Sequence, residues 1–347
     1  GDWYVNEDKL KGGLGELVRR VNALGVKFGI WFEPEMISPD SDLYRAHPDW
    51  CLHIDGRPRS EGRQQLMLNL SRKEVCDYLY DSIAAVLKNG AISYVKWDFN
   101  RNMSEVGSGN LPADRQQEVS HRYYLGLYSL LERLVTDFPD VLFESCSGGG
   151  GRFDCGMLYY MPQTWTSDNS DAIERLPIQH GTSLVYPLSS MSAHVSASPN
   201  HQTGHVTPFD TRFNVAFTGS FGYELDPTAL SEEEQSLVRR TAEFYKKYSH
   251  VAANGRYFRL RSCYEGDCAA WEYISDDDSI CIAEYILTHV RIYPHYERLK
   301  LKGLDPDARY RDDSGNQYTG SELMGYGIPV DLTYEYSSKM WVLEKIK

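Results

Sequence analysis

No stretch of this 347-residue sequence approaches the ~18 uninterrupted apolar residues that a membrane-spanning helix needs, so a helical integral membrane protein is excluded. Positive charge is short: Lys plus Arg total 36 against 49 for Asp plus Glu, leaving a formal charge of -13. That balance argues against nucleic acid or an anionic membrane as partner, and a neutral ligand fits it better. Cysteine is sparse and scattered, at 51, 76, 146, 155, 263, 268 and 281. An odd number without regular spacing gives no disulfide framework and points to a reducing, cytoplasmic compartment. Cys263 and Cys268 lack the second pair that a zinc site would require. Low-complexity tracts and repeats of solenoid period are missing too. There is no initiator Met; the chain opens Gly-Asp-Trp-Tyr and reads as a fragment or a processed product, so the lack of a signal peptide is uninformative.

What is present is enough apolar residue, 41%, to build a large core, and a surplus of Tyr, 25 against 12 Phe and 7 Trp. Rings with polar tips suit sugar handling, but they suit a core or a subunit interface equally well. Short β-branched or aromatic runs alternate with helical patterns over the first two-thirds, which predicts parallel strands with crossover helices. Seven strands are expected: Lys27 to Phe32, Gln65 to Leu70, Ile92 to Asp98, Val141 to Ser145, Thr164 to Asp168, Ser183 to Tyr186 and Ala216 to Gly222. Ser71 with Glu74 and Ser231 with Glu234 each spell a capping box, and Gln117 to Asp137 reads as one long helix. The chain enters a helix, Gly13 to Leu24, directly from a loop, so an eightfold (β/α)8 TIM-type barrel would have its first strand upstream of Gly1. After about Gly255 strand-like segments take over, such as Cys268 to Ile274, Ser279 to Leu287 and Met340 to Leu343. The expected organisation is therefore a barrel over 1–255 and an antiparallel β-sandwich over 256–347.

Barrel chemistry sits at the carboxyl ends of strands, and three such ends stand out. In Tyr94-Val95-Lys96-Trp97-Asp98-Phe99-Asn100, alternation puts Lys96, Asp98 and Asn100 on one side. Lys96 would hold Asp98 ionised, as a nucleophile requires, although a structural salt bridge reads the same way. In Trp165-Thr166-Ser167-Asp168-Asn169-Ser170-Asp171, a second acid could face the same bond; retaining glycosidases place such a pair about 5–5.5 Å apart. Asp171 competes for that role, but the helical Ala172-Ile173-Glu174-Arg175 behind it makes it an N-cap. In Glu144-Ser145-Cys146-Ser147 followed by four glycines and Arg152, backbone can come very close to a ligand, and the ending of a phosphate loop is missing. Cys146 could be a nucleophile, but with no His beside it in sequence a buried small residue is the commoner case. Glu33 and Glu35 form another possible pair, better read as structural because Pro34 turns the chain between them. Trp31 could stack on a sugar or fill the barrel mouth. His194, His201 and His205 suggest a metal, but Ser198-Pro199-Asn200 and Gly204 break the helical spacing, and no metal or cofactor is expected.

These strand ends together resemble the bacterial α-galactosidases of glycoside hydrolase family 36. The resemblance rests on Trp-Phe-Glu-Pro-Glu-Met at 31–36, Lys-Trp-Asp-x-Asn at 96–100, Ser-Cys-Ser-Gly-Gly-Gly-Gly-Arg-Phe-Asp at 145–154 and Trp-Thr-Ser-Asp-Asn-Ser-Asp at 165–171. Pro199-Asn200-His201-Gln202 and Gly222-Tyr223-Glu224-Leu225-Asp226 add to it. It implies double displacement on terminal α-linked galactose of melibiose- and raffinose-type oligosaccharides, with Asp98 as nucleophile and Asp168 as acid/base. Sugar contacts would fall on Trp31, Arg63, Lys96, Trp97, Asn100, Cys146, Gly149 and Trp165. Family members also carry an Asp-Asp pair just upstream of where this chain begins, and an amino-terminal β-sandwich that supports a homo-tetramer. A raffinose- or stachyose-synthase-like galactosyltransferase, an α-N-acetylgalactosaminidase and an inert sugar-binding fragment are the competing readings.

Overall fold

The structure, a computed structural model, describes residues 1–292 and 296–346. It separates into two compact units, Gly1–Thr164 and Trp165–Lys347.

The first unit holds strands β1 (Phe28–Phe32), β2 (Met36–Ile37), β3 (Leu66–Met67), β4 (Ile92–Trp97), β5 (Leu142–Ser145) and β6 (Gln163–Trp165, whose last residue opens the second unit). Helices α1 (Gly13–Ala23), α2 (Asp42–Ala46), α3 (Lys73–Lys88), α4 (Val119–Asp137) and α5 (Cys155–Tyr160) connect them. β1, β4, β5 and β6 lie parallel in that order, and their register aligns Trp31 with Lys96 and Lys96 with Glu144. In parallel strands aligned residues share a face, so these three side chains stand on one side of the sheet end. α3 packs by a stripe of Val75, Leu79, Ile83 and Leu87, spaced four apart, and α4 by Val119, Tyr123, Leu127, Leu130, Leu131 and Leu134. Gly126 lets α4 close on the chain ahead of α3: a Cβ there would lie 1.8 Å from the Leu70 carbonyl oxygen.

Two expectations fail in this unit. The apolar run Gln65 to Leu70 is no barrel strand; only Leu66–Met67 is extended, and it pairs antiparallel with β2. The reversal at Gly62–Gln65 turns the run back towards the loop after β1, where the Leu68 amide donates to the Glu35 carbonyl at 3.0 Å. The capping box at Ser71 does not form. The Ser71 hydroxyl donates instead to Asn69 Oδ1 at 2.6 Å, Glu74 accepts from Arg72 at 2.7 Å, and α3 starts from an Arg72 cap without a side-chain bond.

The second unit carries α6 (Ala172–Thr182), β7 (Met191–Ser196), α7 (Phe209–Phe217), β8 (Ser220–Glu224) and α8 (Glu232–Asn254), with β7 and β8 parallel. α8 opens on the capping box expected there, Ser231 and Glu234 each bonding the other's backbone amide. Ser183 to Tyr186, expected as a strand, is the turn that ends α6; Leu184 and Val185 are 64% and 76% exposed, so their apolar character marks no core. The strand is Met191–Ser196, which its Ser and His disguise. Ala216 and Phe217 close α7, and β8 begins only at Ser220. Among the described residues the first unit holds four parallel strands and the second two, where seven were expected in all.

Beyond α8 come β9 (Arg256–Arg261), β10 (Cys268–Ile274), β11 (Ile280–Leu287), β12 (Glu297–Leu299), β13 (Arg309–Arg311), β14 (Gln317–Thr319), α9 (Gly320–Gly325), β15 (Ile328–Val330) and β16 (Ser338–Ile346). Six of these strands form one sheet in the order β14-β13-β16-β11-β10-β9, and β12 with β15 makes a separate ribbon. β10 has the bounds expected of it, β11 starts one residue later, and Met340 to Leu343 lies inside the longer β16. Antiparallel pairing holds β10 to β11 and β11 to β16, and Ala270, Ile274, Cys281, Ala283 and Leu343 anchor the core below.

Central strands β10 and β11 each bury a glutamate completely, Glu272 and Glu284. Desolvation raises the Glu272 carboxyl to about 8, although the Lys302 amide donates to it at 2.7 Å, and pushes Glu284 upward as well. A carboxyl whose folded pKa exceeds its unfolded 4.5 binds its proton more tightly when folded, so stability falls as pH rises between about 4.5 and 8. Glu272→Gln should remove part of that slope and raise the unfolding temperature at pH 8 relative to the parent; an unchanged slope in thermal melts from pH 5 to 8 would refute the assignment.

Candidate active site

Asp98 follows β4 immediately, its amide donating to the Phe32 carbonyl at 2.8 Å. Its carboxylate is 7% exposed and is ringed by donors. Oδ2 accepts from the Trp31 indole at 3.0 Å and from Asn100 Nδ2 at 2.6 Å, and Oδ1 accepts from the Phe99 amide at 2.9 Å. The Cys146 thiol adds a further bond. Burial by itself would raise this carboxyl, yet the donors outweigh it, Cys146 first and then Asn100, Trp31 and Phe99, and hold it below its ordinary 3.8.

The expected agent, Lys96, acts elsewhere. Its ammonium stands 3.6 Å from buried Glu144, and the groups that lower Asp98 most are neutral donors. Glu144, which received no role of its own from the sequence, also accepts from Gln163 on β6. Cys146 is no nucleophile, because burial and the bond to Asp98 push its thiol up to about 12. The glycine loop places it: the Cys146 amide donates to the Trp97 carbonyl at 2.8 Å, and the Gly148 amide donates to Asn100 Oδ1 at 3.3 Å. Gly148 and Gly149 take φ of +53° and +83°, which favour glycine.

Glu33 and Glu35 part company. Glu35 has no exposure and accepts from both Arg152 Nη2 at 2.8 Å and Nη1 at 3.1 Å, from the Trp97 indole at 2.8 Å, and from the Tyr123 hydroxyl. Trp97 is therefore wholly buried with its N–H committed to Glu35; it braces β4 from behind and offers no face to a sugar, contrary to the resemblance. Glu33 accepts from Gln65 at 3.1 Å and from Arg63 at 3.4 Å. Arg63 is half exposed and sits with Gln64 in a two-residue reversal where both have positive φ, 54° and 61°, closed by mutual Gly62 and Gln65 backbone bonds. Left-handed backbone at two consecutive non-glycine residues is costly, and such strain gathers where side-chain placement matters. Trp31 gives its N–H to Asp98, keeps 40% exposure, and meets Trp3 edge-on at 5.6 Å between centroids.

In the second unit Asp168 is exposed and accepts from the Trp165 indole at 3.1 Å. Trp165, expected to meet sugar, is 4% exposed, with the His194 ring stacked at 4.5 Å and the Arg175 guanidinium 4.5 Å from its centroid. Asp171 is the N-cap of α6 as expected, accepting from the Ile173 and Glu174 amides at 2.8 and 3.1 Å. Its other oxygen accepts from Thr203 at 2.6 Å and stands 3.1 Å from His205. Gln202 straddles the loop, donating to the Asp168 carbonyl at 2.9 Å and accepting from the Ser170 amide at 2.8 Å. Its one sequence signal was the Pro-Asn-His-Gln motif at 199–202. The three histidines disperse: His194 lies on β7 near Glu224, His205 beside Asp171, and His201 in an exposed turn. Among the described residues no group of three or more metal-ligating side chains forms, and no helix is long and apolar enough to cross a membrane.

Parallel βα units that end in a donor-ringed carboxylate, followed by an antiparallel sheet, have the layout of a barrel glycoside hydrolase with a C-terminal β-domain. The Melibiase family profile matches residues 1–255, and that of the glycosyl hydrolase family 36 C-terminal domain matches 268–343. The chain belongs to this family. It is 52% identical to the α-galactosidase AgaA of Geobacillus stearothermophilus over 348 residues, all of this chain and 48% of AgaA, and the AgaA crystal structure superposes with a TM-score of 0.98. A variant of AgaA solved in complex with raffinose is 51% identical with the same TM-score, covering all of this chain and 48% of that one. The α-galactosidase Mel36A of Lactobacillus acidophilus is 46% identical over 349 residues, all of this chain and 47% of the relative. The chain thus spans about half the length of the curated relatives it matches, and its fold is part of a (β/α)8 TIM-type barrel followed by a C-terminal antiparallel β-domain.

The Glu35–Arg152 pair carries a stability prediction. Both groups are buried, so Glu35→Gln leaves an uncompensated guanidinium and should cost about 3–5 kcal/mol in urea unfolding. A loss below ~1 kcal/mol would show that Arg152 finds another partner.

Proposed function

We propose that the chain is the catalytic portion of a retaining α-galactosidase that removes terminal α-linked galactose from melibiose- and raffinose-type oligosaccharides. The observation that carries this is the Asp98 carboxylate: buried, kept ionised by neutral donors, and beside the half-exposed indole of Trp31. An anion solvated by fixed donors keeps its charge available for a cationic reacting centre. In the first displacement an Asp98 oxygen attacks the anomeric carbon while Asp168 gives its proton to the leaving oxygen, forming a β-galactosyl ester. In the second, Asp168 takes a proton from water, which displaces Asp98 and restores the α configuration. Trp31 supplies a stacking face, and Arg63, Lys96, Asn100, Cys146 and the Gly149 backbone supply contacts to hydroxyls. Trp97 and Trp165 act behind Asp98 and Asp168.

Water as acceptor is supported by the α-galactosidase names of the relatives. A barrel domain over 1–255 and a β-domain over 256–347 are supported by the two family profiles, which divide near there. Seven free cysteines support a cytoplasmic location, and the resemblance to larger family members supports a homo-tetramer of the whole protein, which light scattering would test.

With p-nitrophenyl α-galactoside, Asp98→Gly should lose roughly 10⁴-fold or more in kcat/KM, and added azide should restore turnover as β-galactosyl azide. Retained activity, or an azide product of α configuration, would sink Asp98 as nucleophile. Cys146→Ala tests the donor set. The lowered Asp98 pKa places the acid limb of kcat/KM below the range of an ordinary aspartate, and removing its strongest donor should move that limb to higher pH. An unmoved limb would show that the thiol does not hold the charge.

A further inference from the structure

Asp168 is exposed, and the Trp165 indole N–H at 3.1 Å is the side-chain donor that engages its carboxyl. An exposed Asp side chain turns freely about χ1 and χ2, yet a general acid must present its proton along one line. The orientation of Asp168 therefore depends on what holds Trp165. One support is the Arg175 guanidinium, itself fixed by the carbonyls of Ser167 at 2.9 Å and Ser192 at 2.6 Å. Another is His194 of β7, whose ring stacks on the indole at 4.5 Å with an interplanar angle of 27°.

His194 has its own seat. Its Nδ1 stands 3.7 Å from Glu224 Oε2 on the neighbouring strand, and β8 presents Gly222 directly opposite it in register. A Cβ on Gly222 would come within 2.9 Å of the His194 ring, so the glycine is the hollow in which the imidazole rests. Glu224 stands at one end, Gly222 lies beneath, and the indole stacks against the ring.

We propose that His194, seated over Gly222 and braced by Glu224, is a positioning residue that fixes the Trp165 indole and through it the direction of the Asp168 carboxyl. This rests on Asp168 being the acid/base. The consequence is specific to leaving groups. A sugar alcohol departs only with a proton delivered to its oxygen, whereas p-nitrophenolate departs with little help, so a misdirected acid slows the first and spares the second. A role confined to folding would reduce both together by lowering the amount of active enzyme.

The test compares kcat/KM for raffinose and for p-nitrophenyl α-galactoside in the protein as the cell makes it. Asp168→Asn comes first and should cost raffinose on the order of 10³-fold and the aryl substrate far less. If it lowers both equally, the acid/base reading falls and this proposal with it. Given that signature, His194→Ala should cost raffinose about tenfold and leave the aryl substrate within about twofold. His194→Phe, which keeps the stacked ring, should restore most of the raffinose rate. Gly222→Ala, which leaves every charged group in place but lifts the imidazole, should reproduce the His194→Ala pattern should that variant fold poorly. An equal loss on both substrates, or failure of Phe to rescue, would overturn the positioning role.

Discussion

A single buried carboxylate holds the first unit together. Glu35 accepts from Arg152 in the glycine loop, from Trp97 at the end of β4 and from Tyr123 in α4, so one side chain ties four separate stretches of chain. A charge in an apolar interior is tolerated only when paired and hydrogen-bonded, and here both oxygens are so engaged. Geometry follows from that requirement. With Trp97 anchored, Asp98 leaves β4 at one angle, and with Arg152 anchored the glycine loop returns Cys146 to that same Asp98. The pair that looked like a possible catalytic dyad, Glu33 and Glu35, is a scaffold beneath the site, Glu33 doing the lighter work of holding the Arg63 reversal.

Charge is handled differently one layer up. Lys96 stands 3.6 Å from Glu144, and the donors that lower Asp98 are an indole, an amide side chain, a thiol and a backbone N–H. A lysine in contact with Asp98 would neutralise it and add a competing partner for any developing positive charge. Neutral donors lower the carboxyl pKa and leave its net charge uncancelled. The same arrangement explains why Cys146 stays a thiol: it donates only while protonated, and the carboxylate beside it keeps its proton in place.

Legibility followed the local signals. α8 and its capping box, the Asp171 cap, β10 and the strand ends at Asp98 and Ser145 could be read because propensity, period and capping agreed over a short span. Ser183 to Tyr186 misled because its apolar residues are exposed in a turn, and Met191–Ser196 hid because a strand holding Ser192 and His194 lacks an apolar run. Gln65 to Leu70 is truly buried, but which strand it pairs with is settled by the reversal at Gly62–Gln65, whose two positive φ values no composition cue announces. Partnerships across long sequence separation were out of reach altogether. That Lys96 belongs to Glu144, or that Trp97 faces Glu35, depends on register, and a one-residue shift turns every side chain to the opposite face.

The two candidate carboxylates sit in contrasting surroundings. Asp98 is 7% exposed with donors on both oxygens, an environment that favours the charged form. Asp168 is open to solvent, and the Trp165 indole engages one of its oxygens. Its loop is stiffened through the backbone instead, by Gln202 across Asp168 and Ser170 and by Arg175 on Ser167. Rigid backbone under a carboxyl held by one indole keeps the loop in place while the side chain stays accessible to solvent. Surroundings this unlike fit the proposed division of roles between Asp98 and Asp168 better than they fit a structural pair.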